Sequence, residues 1–280
     1  MNNDYKRILT IQDISCVGQC SLTVALPILS ACGLETAILP SAVLSTHTGG
    51  FTGFTFRDLT DDMPAISAHW KKENLSFKAV CTGYLGSIKQ IQFVQDIFKT
   101  NLEEGGITIV DPAMADNGKL YSIFDQAYVD AMKPLCFSAD IILPNITEAA
   151  YITDAEYREN YDEAYIKDLL SKLAERGAKR VILTGVSYRK ETTGVVVYDN
   201  GDIKYYEHER FEKGSHGTGD VYASAFVGAF MSGKSLYDAA VIAADYTLSC
   251  IRVTQGDPDH TYGVKFETVI PELIDALRKE

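Results

Sequence analysis

The chain is short of positive charge. It carries 26 lysines and arginines against 38 aspartates and glutamates, a formal net charge of −12. Bulk electrostatics therefore will not draw it to nucleic acid or to an anionic membrane. An anionic ligand would have to be held by local basic groups or by backbone amides. Long apolar runs are missing too: nothing approaches the roughly 20 residues of a membrane span. The opening Tyr5-Lys6-Arg7 leads into a strand-like segment rather than a signal-peptide core. We therefore expect a cytoplasmic protein with no nucleic-acid and no membrane partner. Cysteine offers little chemistry. The six cysteines (Cys16, Cys20, Cys32, Cys81, Cys136, Cys250) include no Cys-x-x-Cys pair, and most sit in apolar stretches as reduced core residues do. Cys16 and Cys20 have no nearby histidine to complete a metal set. A Gly-x-x-x-x-Gly-Lys-Ser/Thr loop is absent, as is the protein-kinase signature set. No linker, repeat or shift of composition breaks the 280 residues. One domain over 1–280 is the simplest expectation.

What the chain does contain is a steady alternation of elements. Its 46% hydrophobic and 23% charged residues are those of a soluble globule. Short β-rich runs at 7–12, 36–39, 79–82, 107–110, 141–143 and 180–184 alternate with helical patterns at 21–32, 61–72, 88–102, 124–135 and 162–176. Pro27 must kink the first helix or lie near its first turn. Strands at 193–198 and 203–206 flank Asp199-Asn200-Gly201-Asp202, a turn suited to antiparallel pairing. Helices are predicted at 220–231, 236–252 and 266–278. The pattern predicts an α/β fold: a mainly parallel central sheet covered by helices on both faces, with one antiparallel edge hairpin.

Gly214-Ser215-His216-Gly217-Thr218-Gly219-Asp220 stands out against this background. A run of small and apolar residues follows it, from Val221 to Phe230. Glycines let backbone amides approach a ligand closely. If the run is a helix, those amides form its N-terminus, where unpaired N–H groups and the dipole attract an anion. Asp220 would stand in the first turn, kept ionised by the dipole. The plainer alternative is a glycine loop with Asp220 as an ordinary helix cap.

Other polar residues fall at strand ends, which line one rim of an open parallel sheet. They are Asp13, Gly83-Tyr84, Asp111, Asn145 with Glu148, and Thr184. Asp111 and Glu148 suit Mg²⁺ held through waters, because that ion combines carboxylates with waters and phosphate oxygens. Asn145 and Glu148, three apart across a strand-to-helix turn, would face the same side. Ser45-Thr46-His47-Thr48-Gly49-Gly50-Phe51-Thr52-Gly53-Phe54 is a polar, glycine-rich loop, either a plain surface loop or a carrier of binding groups. His47 has no nucleophile to activate and is assigned substrate contact alone.

Gly217-Thr218-Gly219-Asp220 before a small-residue helix resembles the C-terminal signature of the ribokinase-like family. Asn145-Ile146-Thr147-Glu148 resembles that family's Asn-x-x-Glu motif. Within the family the likeness is to pyridoxal kinases. Ser45-Thr46-His47-Thr48-Gly49 is similar to their Ser-Asn-His-Thr-Gly/Gln loop, and Thr82-Gly83-Tyr84-Leu85-Gly86-Ser87 to their Ser-Gly-Tyr-Leu-Gly-Ser. Asp111-Pro112-Ala113-Met114-Ala115-Asp116-Asn117-Gly118-Lys119-Leu120-Tyr121 resembles a third motif. The resemblance implies a three-layer α/β/α fold and ATP-dependent phosphorylation of the 5′-hydroxymethyl group of pyridoxal, pyridoxine or pyridoxamine. It further implies a homodimer using magnesium and often a monovalent cation such as K⁺. Asp220 would be the base, with Gly217, Thr218 and Gly219 as the anion hole. Asp13, Ser45, His47, Thr48 and Tyr84 would meet the substrate. Asp111, Asn145, Glu148 and Thr184 would lie at the nucleotide, with Asp111 and Glu148 serving the metal. A related reading is a hydroxymethylpyrimidine kinase of the same family. The chain departs from the pattern at Asp13, where those kinases usually have serine, and in the shortened segment after it. At Thr184 some relatives have lysine.

Overall fold

A computed structural model describes residues 5–211, 216–257 and 259–279. Strands β1 (Arg7–Ser15), β2 (Glu35–Leu44), β3 (Phe56–Asp58), β4 (Phe77–Thr82), β5 (Leu102–Val110), β8 (Ile141–Ile142), β9 (Arg180–Val186), β10 (Thr192–Asp199) and β11 (Asp202–Glu209) form one sheet. Their spatial order is β11-β10-β9-β8-β5-β4-β1-β2-β3. The central pairs are parallel, while β10 and β11 at one edge and β3 at the other run antiparallel. A separate antiparallel ribbon joins β6 (Ala115–Asp116) to β7 (Lys119–Leu120). The expected edge hairpin is present as β10–β11. The strand β3 and the small ribbon were not expected, being two or three residues long.

Alternation along the strands sorts the core into two layers. Leu9, Val80, Val110, Ile142, Val181, Leu183 and Val196 face one side of the sheet. Ile8, Ala79, Cys81, Ile109, Ile141, Ile182, Val195 and Val197 face the other. Successive residues of a strand point to opposite faces, so continuous apolar runs belong to strands buried on both sides. The first face is covered by α2 (Met63–Lys72), α3 (Ile88–Thr100), α4 (Gln126–Ser138), α5 (Ile146–Thr153) and α6 (Glu163–Glu175). The second is covered by α1 (Leu22–Ala31), α7 (Thr218–Met231), α8 (Leu236–Thr254) and α9 (Ile270–Arg278), the last preceded by a 3₁₀ turn at Phe266–Val269. Pro27 lies inside α1. No helix among the described residues is long and apolar enough to cross a membrane.

The strand order also creates the place where a ligand can sit. From β1 the chain crosses through α1 to β2 on one side. From β4 it crosses through α3 to β5 on the other, and continues that way to β8 and β9. Right-handed crossovers in opposite directions put α1 and α3 on opposite faces. The helices therefore part above the carboxyl ends of β1 and β4, leaving a crevice at the reversal point. The expected first strand stops at Gln12; the observed β1 runs on to Ser15 because it keeps pairing with β2 past an irregularity. There Gln12 pairs with Pro40 but Ile14 with Val43, so β2 carries an extra residue opposite Asp13. Such bulges re-aim side chains beside sites.

Close packing of α1 on α7 sets the height of the rim on the second face. Gly228 in α7 lies against Cys32, and a Cβ there would collide with its sulfur. Gly228→Val is expected to push the two helices apart and cost about 1–3 kcal/mol. Because Ser21 and Asp220 stand at the starts of these helices, turnover should fall with the melting temperature. Urea titration with parallel rate measurements checks this, and a stable variant with full activity would refute the coupling.

Candidate active site

Helix α7 begins at a glycine for two reasons. Gly217 is its N-cap with φ 73°, a conformation that side-chain-bearing residues rarely adopt. A Cβ at Gly217 would also strike the carbonyl oxygen of Gln19. With no side chain at the cap, the first-turn amides have no side-chain acceptor from the capping position. Asp220 is the third helical residue and not the cap, so the capping alternative is set aside. Gly219 differs from Gly217: nothing lies within 4 Å of where its Cβ would be. The turn thus has one glycine demanded by packing and one that faces open space. Gly214 and Ser215, from the same motif, lie outside the described residues.

Carboxylates gather at this rim. Asp220 accepts from the main-chain amide of Ser21, but loss of solvent around its carboxyl group pushes its pKa up to about 6, with Asp13 adding to the rise. Burial therefore outweighs the dipole that was expected to hold Asp220 low, although the group is still mainly ionised at neutral pH. Asp111, at the end of β5, is held well above the ordinary carboxylate range by burial and by Glu148 and Asp220. Its Oδ1 accepts from the Ala113 amide at 3.1 Å. Glu148 is raised to about 7, chiefly by burial, against backbone amides that favour its charged form.

Those amides explain the Asn145–Glu148 spacing. Asn145 caps α5, with Oδ1 accepting from Glu148 N–H at 2.9 Å, while Glu148 Oε2 accepts from Asn145 N–H at 2.8 Å. This is a capping box. Glu148 Oε1 accepts from Met114 N–H at 3.0 Å, and Asn145 Nδ2 donates to Ala115 O at 2.8 Å. Both residues thus fasten the 113–116 segment to the rim, and the two carboxylate oxygens of Glu148 are already engaged. No group of three or more metal-ligating side chains exists among the described residues. The donor set fits an ion held mainly through waters, with charge from Asp111 and Glu148. Thr184 stands beside this corner: it bridges to Asn145, and its amide donates to Pro144 O at 3.0 Å.

Asp13 sits near the end of β1, across β4 from this corner, and is 6% exposed. It accepts from Ser21 Oγ at 2.6 Å and from Ser15 Oγ at 3.3 Å. Burial raises its pKa; the two serines and His47 act against that. His47 is held by its amide, which donates to Val17 O at 2.8 Å, and its Nδ1 accepts from Gly49 N–H at 3.3 Å. Burial and the nearby His216 lower its pKa. The two imidazole rings meet edge to face with centroids 5.6 Å apart. Ser45 has a structural engagement, since its Oγ accepts from Thr55 N–H at 2.8 Å and its amide donates to Thr55 O at 3.1 Å. Thr48 is exposed at the tip of the loop.

An aromatic wall closes one side. Tyr84 packs against Phe124 at 5.7 Å, and Phe124 stacks on Tyr128 at 3.8 Å and lies 6.3 Å from Tyr121. Tyr84 is pushed up to about 12 by burial, with Asp13 next in effect. Opposite it, the C-terminal segment folds over the β1–α1 loop. Tyr262 O accepts from Gln19 N–H at 3.1 Å, Gln19 Nε2 donates to Glu267 Oε1 at 2.7 Å, and Phe51 meets Tyr262 at 5.4 Å.

Five residues at this rim went unassigned in the sequence. Ser21 bonds both Asp13 and Asp220, a link that rests on a backbone amide and leaves no trace in residue types. Tyr121 feels the charges of Glu148, Asp111 and Asp220, and it closes the third motif quoted above. Phe124 and His216 contribute rings. Gln12 is 6% exposed with Oε1 unbonded, and that atom would lie 2.7 Å from a Cβ at Gly83.

Comparison with known proteins places the chain in a family and a fold. The fold is that of the ribokinase-like α/β/α kinases. A Bacteroides thetaiotaomicron protein described as a phosphomethylpyrimidine kinase, crystallised with pyridoxal, is 38% identical and superposes with a TM-score of 0.91 over 96% of each chain. Pyridoxal kinase from Lactobacillus plantarum is 32% identical, with a TM-score of 0.88 over 96% of this chain and 97% of that one. Pyridoxal kinase of Dictyostelium discoideum is 26% identical over 241 residues, 79% of this chain and 77% of the relative. Residues 31–264 match the family described as phosphomethylpyrimidine kinase, and the chain belongs to it. It is a kinase.

The two glycines separate packing from ligand binding. Gly217→Ala should lower stability and abolish turnover together, since both φ and the Gln19 carbonyl forbid a side chain. Gly219→Ala should fold normally yet lose at least about tenfold in kcat, because a methyl group enters the space before the amides. Thermal melts and initial rates on both variants test this; equal stability losses would refute it.

Proposed function

We propose that the chain, as one kinase domain over 1–280, transfers the γ-phosphoryl group of ATP to the 5′-hydroxymethyl group of a B6 vitamer (pyridoxal, pyridoxamine or pyridoxine), a step in pyridoxal 5′-phosphate salvage. The observation that carries this reading is Asp220 in the first turn of α7, behind a glycine cap that brings no side chain to the helix N-terminus. The family and the pyridoxal bound to the 38% identical relative support the choice of acceptor.

In this reading the vitamer ring lies between the His47–Thr48 loop and Tyr84, with its hydroxymethyl group at Asp220. Ser45 anchors that loop. Aromatic faces suit a flat heteroaromatic ring. ATP lies along the rim beside Asp111, Asn145, Glu148 and Thr184. Its γ-phosphate reaches the amides of Gly217, Thr218 and Gly219, which stabilise charge as the transfer proceeds. Asp220 accepts the hydroxyl proton while the acceptor oxygen bonds to phosphorus and the bond to ADP breaks. Asp111 and Glu148 would hold Mg²⁺ through waters, and the ion supplies charge neutralisation at the phosphates. Monovalent cation use, a homodimer and a cytoplasmic location belong to the same proposal. The second reading, phosphorylation of hydroxymethylpyrimidine, is favoured by the family description itself.

An ATP-consumption screen over the three vitamers, hydroxymethylpyrimidine and simple sugars tests the assignment; turnover with sugars alone would sink it. Asp220→Ala should lose about three or more powers of ten in kcat with little change in KM for the vitamer. Near-normal turnover would remove Asp220 as the base.

The pH dependence has a defined sign. The base works ionised, so kcat/KM should fall as pH drops through about 6, well above an ordinary aspartate. A raised folded-state pKa also means that Asp220 favours folding below its unfolded value and loses that contribution as pH rises through about 6. Asp220→Asn should therefore be inactive yet melt a few degrees higher, about 2–6 °C at pH 7.5. A lower melting temperature there would contradict the desolvation argument.

A further inference from the structure

Ser21 is bonded to two carboxylates at once. Its hydroxyl donates to Asp13 Oδ1 at 2.6 Å, and its main-chain amide donates to Asp220. One residue therefore spans the proposed base and a second, buried carboxylate at the end of β1. Ser21 holds this position with φ 50° and ψ −133°, a backbone conformation that non-glycine residues rarely adopt. Next to Asp13 in the chain, Gln12 is 6% exposed and its Oε1, lying against Gly83 at the end of β4, has no donor. The crevice between β1 and β4 is thus rich in acceptors. Among the ion pairs of the described residues none involves Asp13, and its nearby group able to carry positive charge is His47. Burial and His216 hold that imidazole toward its neutral form. A buried carboxylate supplied with serine hydroxyls and no fixed cation lacks a charged partner.

We propose that Asp13 selects the substrate by pairing with a protonated aminomethyl group carried next to the hydroxymethyl group on the ring. This rests on the reading of the site as a hydroxymethyl kinase. Neighbouring ring substituents lie side by side, as Asp13 and Asp220 do on either side of Ser21. The ring nitrogen of a B6 vitamer lies further round, one carbon removed from the ring carbon that bears the hydroxymethyl group. Pyridoxamine presents an ammonium at the neighbouring place, with three donors for Asp13 and for acceptors such as Gln12 Oε1. Pyridoxal presents an aldehyde there and pyridoxine a hydroxyl. Hydroxymethylpyrimidine shares the N–H chemistry through an amino group on the ring, but without the full charge.

The test measures kcat/KM for pyridoxamine, pyridoxal, pyridoxine and hydroxymethylpyrimidine with wild-type protein, Asp13→Asn and Asp13→Ser. Wild type is expected to favour pyridoxamine over pyridoxine by about tenfold or more, as for a charge-assisted hydrogen bond. In Asp13→Asn that ratio should fall toward one. A wild-type ratio near one, or a ratio unchanged in both variants, overturns the proposal. Preference for hydroxymethylpyrimidine over pyridoxamine overturns the ammonium assignment. Calorimetric binding of pyridoxamine and pyridoxine to wild type, without ATP, reads the same preference should the variants fail to fold. Tighter pyridoxamine binding supports Asp13 as selector, and equal binding overturns it. Absence of turnover with every vitamer would instead defeat the kinase assignment, a result distinct from turnover that ignores the amine.

Discussion

Like charges brought together out of water are the constraint around which this rim is built. Glu148 and Asp220 both act on Asp111, and Asp13, in β1, acts on Asp220. Water would separate and screen such groups; burial removes that relief. The protein answers with hydrogen-bond donors rather than with cations. Ala113, Met114 and Asn145 offer backbone amides to Asp111 and Glu148, while Ser15 and Ser21 serve Asp13. Those donors fix the carboxylates in place without cancelling their charge. The result is a surface whose unmet requirement is positive charge, in a chain whose overall balance is negative.

The sheet makes this concentration possible. Because the chain leaves β1 and β4 in opposite directions, helices withdraw from the space above those two strands. A bulge in β2 opposite Asp13, a glycine at the cap of α7 and a capping box at α5 then set individual side chains around the opening. Each acts where a regular element starts or breaks register, and the glycine has a packing reason in the Gln19 carbonyl. The rim is thus shaped as much by where regular structure stops as by the residues it carries.

Much of the architecture was legible because its signals are periodic. Runs such as Val181-Ile182-Leu183 and Val195-Val196-Val197 lie in strands buried on both faces, and the turn at Asn200-Gly201 joins β10 to β11. Helix α5 was legible only as a strand-to-helix turn at Asn145–Glu148, without bounds, because its eight residues open on a capping motif that was read for its polar atoms. Strands β3, β6 and β7 are too short for any period to develop. At the site, residue types and strand ends pointed to Asp13, Asp111, Glu148 and Asp220 as a group. The double engagement of Ser21, the packing demand on Gly217 and the balance of burial against dipole at Asp220 were not legible. The first two depend on backbone atoms of segments far apart in sequence, and the third on how little water the finished fold leaves around one carboxyl group. Ser45, read for substrate contact, has an added structural engagement in accepting from Thr55 N–H, a bond that leaves its hydroxyl able to donate.

The contact between Gln19 and the 262–267 segment has a consequence for synthesis. Gln19 lies in the β1–α1 loop, yet its amide and side chain are bonded by Tyr262 and Glu267, far along the chain. The same early loop supplies the carbonyl that fits against Gly217. Emerging from the ribosome in order, the β1–α1 loop would wait for the 262–267 segment before this side of the rim could close. Such long loops are entropically costly to join and slow to form. Vectorial synthesis thus leaves this side of the rim unpaired until the 262–267 segment has emerged.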